Sequence, residues 1–523
     1  AARPRGRMSP VGSLEPAPED HAPAAHPLGL PQPPAHGDAP LDEALGVDEY
    51  RLRFVNFNMA NSSSFSCVSG LMGPGGRGAF EATFSEPFPD GGEVDLAFVT
   101  LVETRLALGE WLKQHLAKGQ GPLDRAISTN ACREGSKEPG AWQHVHGWLE
   151  GLAANYNGNL KSVLAYSSRR FEVEESLVLH GRFTETKVAG LAVPNPKKAF
   201  IGRTVKECGQ GVRLCMVGAH FPIGKIAAAL EEPPPHKTEP LQVAKLSVAR
   251  ALRKVLRRAS RRGVLDNESL LIVQGDLNSR TILKASGACD LLQEVLRDQS
   301  LQAAMQHQLG LPPGRWREVP RYEEAHDLPV TYKFRESPGH AFERPASDAA
   351  SWGTPSLTLG DVLVAARACF PRECGVQGPE LYRRTLQDVP SEQLRAWGVL
   401  FKESEFRPFR FPACADRVIY WAPNGLAPRL SWSVHRGGYQ VNHFEKGSDH
   451  RPVSLEVTLR IAMDPLSSAR PRSRSGSLGS AGEVPAIEHH AVCQSDSEDS
   501  ETDVQVPTTS FWGAGKSWIG ARH

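Results

Sequence analysis

Six stretches of this chain run apolar or alternate and then stop at a residue that can carry chemistry. Residues 51–58 alternate and end in amides, Asn56 among them. Residues 94–103 are largely apolar and close on Glu103, and residues 212–220 close on His220. Residues 270–274 lead into Gly275-Asp276-Leu277-Asn278-Ser279-Arg280, and Asp416-Arg417 opens an apolar run to Trp421. Ser448-Asp449-His450-Arg451-Pro452 precedes a last run, 453–459. Short apolar runs bounded by turn signals predict buried strands. In the fourth stretch the glycine lets the backbone turn at the mouth of the strand, and Asp276 and Asn278, two residues apart, project to one side of an extended chain. A carboxylate that accepts a proton beside an amide that donates a hydrogen bond suits water attack on a phosphate ester. Each stretch alone has a dull explanation, such as a solvated strand end, a satisfied histidine or a structural ion pair. Six in one chain are harder to dismiss together.

One helix is predicted between the His220 and Asp276 strands. Thr238 is a cap candidate, Pro240 an early proline, and Leu241, Val248, Leu252, Val255 and Leu256 recur at helical spacing. Its other face carries Lys245, Arg250, Arg253, Lys254, Arg257, Arg258, Arg261 and Arg262. That pattern fits a solvated outer helix bridging two strands, with docking to anionic lipid headgroups as the other reading. Residues 335–409 read as an insertion: a Pro-, Ser- and Ala-rich loop, a helical piece around Leu359, Val362, Leu363 and Ala366, and a second short helix opening at Ser391. It would serve as a lid or a partner surface. Residues 1–46, rich in Pro and Ala, and residues 463–523, rich in Ser and Arg and then acidic, read as disordered flanks of a catalytic domain spanning 47–462. Protein partners, if any, are expected at the insertion or these tails.

Composition narrows the class. A net charge of +1 gives no global field for nucleic acid or membrane, so no nucleic-acid partner is expected. Nine cysteines without Cys-x-x-Cys spacing predict reduced thiols rather than a disulfide framework or a zinc site. No apolar run approaches membrane-spanning length, and the first residues lack a signal-peptide layout. The expectation is a soluble cytoplasmic enzyme whose membrane contact, if any, is peripheral.

The order Asn, Glu, His, Asp-x-Asn, Asp-Arg, Asp-His resembles the endonuclease/exonuclease/phosphatase superfamily, and within it the inositol polyphosphate 5-phosphatase family. Gly275, Asp276, Asn278 and Arg280 match that family's first signature, with Ser279 in place of its aromatic. Arg410-Phe411-Pro412-Ala413-Cys414-Ala415-Asp416-Arg417-Val418-Ile419 is similar to the second, with Cys414 and Ala415 departing from it. Leu328-Pro329-Val330-Thr331-Tyr332-Lys333-Phe334 resembles the substrate segment, and Ser448-Asp449-His450-Arg451-Pro452-Val453 the terminal motif. The family's Gly-Asn-Lys-Gly-Gly turn is matched only loosely, at residues 183–190, where Lys187 and a late glycine survive.

The resemblance implies a four-layer α/β/β/α sandwich (deoxyribonuclease I-like), with two mixed β-sheets and outer helices. It implies Mg²⁺-dependent removal of the 5-phosphate from an inositol phosphate or phosphoinositide by direct hydrolysis. Glu103 and Asn56 would offer hard oxygen ligands to Mg²⁺. Asp276 would be the general base, Asn278 a donor to the phosphoryl group, and His450 a phosphoryl contact oriented by Asp416. Asp449 would sit at the metal through water, and His220 would be a second phosphate contact. Tyr332, Lys333, Arg410, Lys187 and Arg417 would hold the substrate. A superfamily nuclease, a neutral sphingomyelinase and a catalytically dead phosphoinositide-binding scaffold remain as alternatives.

Overall fold

Our structure, a computed structural model, describes residues 46–59, 90–104, 113, 122–131, 159–188, 191–222, 240–284, 287–307, 309–334, 357–368, 412–441 and 448–463. All of them belong to one unit, Pro40–His523. The chain opens with β1 (Val47–Asn58), β2 (Leu96–Thr104), β3 (Arg125–Asn130) and β4 (Asn159–Tyr166). It continues with β5 (Phe171–Arg182), the hairpin of β6 (Glu185–Val188) and β7 (Leu191–Pro194), β8 (Ala199–Glu207) and β9 (Arg213–His220). Helix α1 (Pro240–Arg261) then crosses to β10 (Ser269–Asp276), followed by the hairpin of β11 (Thr281–Lys284) and β12 (Gly287–Asp290). Helices α2 (Leu291–Arg297) and α3 (Gln299–Gln306) precede β13 (Gly314–Glu318) and α4 (Leu359–Ala368). The last strands are β14 (Asp416–Pro423), β15 (Leu430–Val434), β16 (Gln440–Val441) and β17 (Val453–Ala462).

Two mixed sheets result. The first runs β15-β17-β1-β2-β4-β3, with β16 also on β17; the second runs β13-β14-β10-β9-β8-β5. Between them lie side chains such as Leu52, Phe54, Phe98, Leu164 and Leu455 from one sheet and Leu214, Met216, Ile272 and Tyr420 from the other. The alternate residues of the second sheet (Cys215, Val217, Leu271, Val273, Ile419, Trp421) meet Val248, Leu252, Val255 and Leu256 of α1 and Leu291, Val295 and Leu301 of α2 and α3. Burial on both faces explains why residues 270–274 are apolar without alternation. The architecture is the expected sandwich. Its helical layer is described on the second sheet, and any counterpart on the first lies outside the described residues. Helix α1 bridges β9 and β10 as predicted, one turn longer than its apolar pattern.

Two close approaches lock the sheets. Gln274 Nε2 donates to Val55 O at 3.1 Å, Phe98 O at 3.0 Å and Thr100 Oγ1 at 2.7 Å, tying β10 to β1 and β2 through the core. Gly275 has φ +140°, and a Cβ there would lie 2.0 Å from Ala219 O, so only glycine fits where β10 presses on β9. From the insertion only residues 357–368 are described; α4 covers the helical piece read around Leu359, and Leu359 and Val362 pack on Leu328, Val330 and Phe334. The Ser391 helix and the two flanks lie outside the described residues. Among the described residues no helix is long and apolar enough to cross a membrane.

Candidate active site

The register of the second sheet lines up three of the candidate residues. Asp276 ends β10, paired with His220 at the end of parallel β9 and with Asp416 at the start of antiparallel β14. Directly paired residues point to the same face, so an imidazole and two carboxylates form a row at one edge of the sandwich. The opposite sheet adds Asn58 from the end of β1. Its Nδ2 donates to Asp276 Oδ2 at 2.8 Å and lies 3.4 Å from His450 Nε2.

His450 stands next to that row, just before β17. Its Nδ1 is 2.8 Å from Asp416 Oδ2 and its Nε2 3.8 Å from Asp276 Oδ2. Burial alone would lower the imidazolium, but Asp416 and Asp276 outweigh it and raise His450 to about 9. The ring is therefore a cation at neutral pH. Asp276 shows the reverse: burial would raise it, yet His450, His220 and Lys198 hold it well below the usual carboxylate range. Asp416 is fixed further by Asn56 Nδ2, which donates to its Oδ1, and its own N–H donates to Thr331 Oγ1 at 3.2 Å.

The other half of the crevice is built differently. Glu103 sits where the β2–β4 register shifts, at φ +54°, a left-handed conformation uncommon for a long side chain. Its Oε2 is 2.8 Å from Lys197 Nζ and its Oε1 3.6 Å from His220 Nε2. Lys198 Nζ lies against His220 Nε2, which is also 3.2 Å from Asp276 Oδ2. Burial and the neighbouring Lys198 push His220 down to about 4, so this ring is neutral. Desolvation likewise lowers Lys198 to about 8, against the pull of Glu103 and Asp276.

Asn278, at φ +49°, turns the chain after the row. Its Nδ2 donates to Phe221 O at 2.7 Å and its Oδ1 accepts from Arg280 Nη2 at 2.8 Å. The amide thus positions Arg280, and one of its two amide hydrogens is committed to the backbone. Arg280 is 6% exposed and stacks 4.4 Å over the Tyr332 ring, while its Nε and Nη1 have no protein partner among the described residues. Buried donors of this kind are costly unless something accepts from them. Tyr332 packs on His450 with centroids 4.6 Å apart, and Lys333 Nζ is 3.5 Å from Asp449 Oδ2.

One expectation needs correction. Arg417 does not face the crevice: its register partner is Gly275, one residue before Asp276, so it points to the opposite face. There its buried guanidinium pairs with Glu318 and, at 3.2 Å, with Asp290. Asn56 is paired with Thr100, three residues before Glu103; its Nδ2 donates to Asp416, and its Oδ1 has no hydrogen-bond partner among the described residues. Asn58, which ends the same strand, reaches the Asp276 carboxylate. The turn 195–198 abuts His220, because Phe200 pairs with Ala219, and Phe183 at the start of the 183–190 stretch packs on Phe221. Lys197 and Lys198 lie at that turn; the side chain of Lys187, like Arg410, lies outside the described residues. Asp449 contacts Lys333. Asn58, Lys197, Lys198 and Arg280 are the site residues that strand pattern alone did not single out.

A divalent cation has modest means of binding here. Among the described residues no group of three or more His, Cys, Asp or Glu is arranged to hold one. Mg²⁺ nevertheless takes only one or two carboxylates and completes its shell with water and substrate phosphate. The Glu103 carboxylate fits that role, provided Lys197 yields.

No protein-family model and no curated protein matches the chain. Solved structures with similar layout include the inositol polyphosphate 5-phosphatase domain of SPsynaptojanin in complex with inositol (1,4)-bisphosphate and calcium ion. That likeness has 14% identity over 81% of this chain and 88% of the other, with a TM-score of 0.34. An endonuclease/exonuclease/phosphatase family protein from Bacteroides thetaiotaomicron is 12% identical over 81% and 98%, with a TM-score of 0.35. The human nocturnin catalytic domain with bound sulfate is 10% identical over 79% and 97%, with a TM-score of 0.30. With scores of that size, the functional reading rests on the crevice's own residues.

Proposed function

We propose that this chain is a Mg²⁺-dependent phosphoric monoester hydrolase that removes the 5-phosphate from inositol polyphosphates or phosphoinositides by direct water attack. The observation that carries this reading is the pairing of an ionised Asp276 with a cationic His450, 3.8 Å apart in one buried crevice. Ester hydrolysis needs a group that aligns water and a cation that meets the developing phosphoryl charge, and these two supply both. Asp276, held by Asn58, accepts a hydrogen bond from the attacking water and then its proton. His450 Nε2 donates to a non-bridging phosphoryl oxygen while Asp416 fixes its Nδ1. The unmatched Nε and Nη1 donors of Arg280 suit the same oxyanion. Bound at Glu103, Mg²⁺ would supply Lewis-acid stabilisation of the leaving oxygen.

The thiols of Cys215 and Cys414 and the hydroxyls of Ser279 and Ser448 are poor competitors for water. Burial pushes Cys215 up to about 12 and Cys414 well above its usual value, and the hydroxyls of Ser279 and Ser448 donate to Asp290 and to Asn58 O. Lys333, beside the Tyr332 ring, suits a substrate with a second phosphate next to the scissile one. A lipid substrate would bring the chain to a membrane surface peripherally, and a soluble one would keep it in the cytoplasm.

The test is phosphate release from inositol 1,4,5-trisphosphate, short-chain phosphatidylinositol 4,5-bisphosphate and an abasic DNA duplex, with Mg²⁺ and with chelator. Metal-dependent release from either inositol compound is the expected result. DNA cleavage with both inositol compounds inert would replace this reading with a nuclease, and silence on all three would favour a binding scaffold.

A further inference from the structure

Lys197 is paired with Glu103, the carboxylate that would hold a metal in this crevice. Its Nζ is 2.8 Å from Glu103 Oε2, and the two side chains are 24% and 12% exposed, so the ion pair stands at the crevice edge, partly shielded from water. The turn that carries it is pinned by backbone. Asn195 N donates to Thr184 O at 2.9 Å, Leu160 N to Pro196 O at 3.2 Å, and Phe183 N to Lys198 O at 2.8 Å. The Asn195 side chain also caps Lys197 N at 2.9 Å. With the turn held, what remains free to move is the lysine's four-carbon stem and its ammonium.

The next residue, Lys198, points into the same crevice against His220. Two consecutive ammonium groups thus face Glu103 and Asp276, with the His450 cation across the row. A divalent ion entering this arrangement alone must take Glu103 from Lys197 and leave that charge uncompensated beside two further cations. A phosphate entering with it reverses the balance, because a dianion gives the released ammonium a new partner within reach.

We infer that Lys197 exchanges the Glu103 carboxylate for the substrate phosphate, so that anion binding opens the metal site and cation and anion bind cooperatively. This rests on the hydrolase reading above. Lys197 then acts twice, freeing Glu103 for the metal and binding the substrate phosphate with its ammonium. By reciprocity, the metal tightens phosphate by the same factor that phosphate tightens the metal.

The test uses Mn²⁺ as a spin probe, with free ion measured by electron paramagnetic resonance while titrating the full chain, with and without inorganic phosphate. For the wild type, phosphate is expected to tighten Mn²⁺ on the order of tenfold to a hundredfold. Lys197→Met should bind Mn²⁺ tightly without phosphate, bringing that ratio close to unity, and Lys197→Arg should retain the coupling. Glu103→Gln should abolish binding in both conditions, with circular dichroism confirming that each variant is folded. If Lys197→Met leaves both the Mn²⁺ affinity and the phosphate ratio at wild-type values, the exchange is wrong, even where the wild type hydrolyses inositol phosphates with Mg²⁺. If Mn²⁺ binds no variant and no inositol phosphate is cleaved, the hydrolase reading falls with it.

Discussion

The two histidines of the crevice sit on either side of one carboxylate, Asp276, and carry opposite charge states. His450 has a second carboxylate, Asp416, on its far nitrogen, and is raised to about 9. His220 has a lysine against its Nε2, and burial together with that ammonium lowers it to about 4. Depth cannot explain the difference, since both rings are buried. What differs is the partner each half supplies: a fixed anion on the β14 side and two cations on the β8 side. One half therefore holds a permanent hydrogen-bond donor, which the proposed hydrolysis would aim at a phosphoryl oxygen, and the other is where the proposed exchange would rearrange charge.

Breaking the anion on the β14 side should have the largest effect. Asp416→Asn removes the charge that holds His450 cationic, so phosphate release at pH 8 should fall on the order of a hundredfold. The alkaline limb of the rate profile should move down from about 9 toward the ordinary histidine value.

The same pairing should appear in stability. A histidine raised in the folded state contributes stability that is fully present below its unfolded value near 6.5 and is lost as pH rises through about 9. Urea denaturation of the metal-free protein should therefore show a loss of up to about 3 kcal/mol across that window. In His450→Gln the loss should be missing.

Sharpening the other half is a smaller test. Lys198→Met should raise His220 by about one unit, read by NMR titration of the ring in the metal-free protein. The smallest effect concerns Glu103, whose φ of +54° suits asparagine better than glutamate. Glu103→Asn relieves the backbone but removes the carboxylate from Lys197, so stability should change by no more than about 1 kcal/mol in either direction while Mn²⁺ binding is abolished.

What could be read without coordinates follows from the same contrast. Asp276 was legible because burial on both faces makes β10 one apolar block that ends at a glycine and a carboxylate. Asp416 was legible too, but its neighbour Arg417 misled: adjacent residues on a strand face opposite ways, and this one turns inward to Glu318 and Asp290. Asn56 and Asn58 lie on one face of β1, and only the pairing with β2 tells which is level with the crevice. Lys197 and Lys198 stayed hidden because the turn that meets His220 is set by the Phe200–Ala219 register, a long-range fact that no local pattern encodes. Arg280 stood in the motif itself, yet its unmatched buried N–H groups become visible only once the core closes around them.

The most direct test of the account is single-turnover hydrolysis of inositol 1,4,5-trisphosphate in water enriched in oxygen-18, for the wild type and Asp276→Asn. Direct attack by a water held at Asp276 predicts that the phosphate released by the wild type carries one heavy oxygen, with no phosphoenzyme trapped on rapid quench. It also predicts a rate in the variant lower on the order of a thousandfold. A trapped phosphoenzyme, or a variant as fast as the wild type, would contradict it.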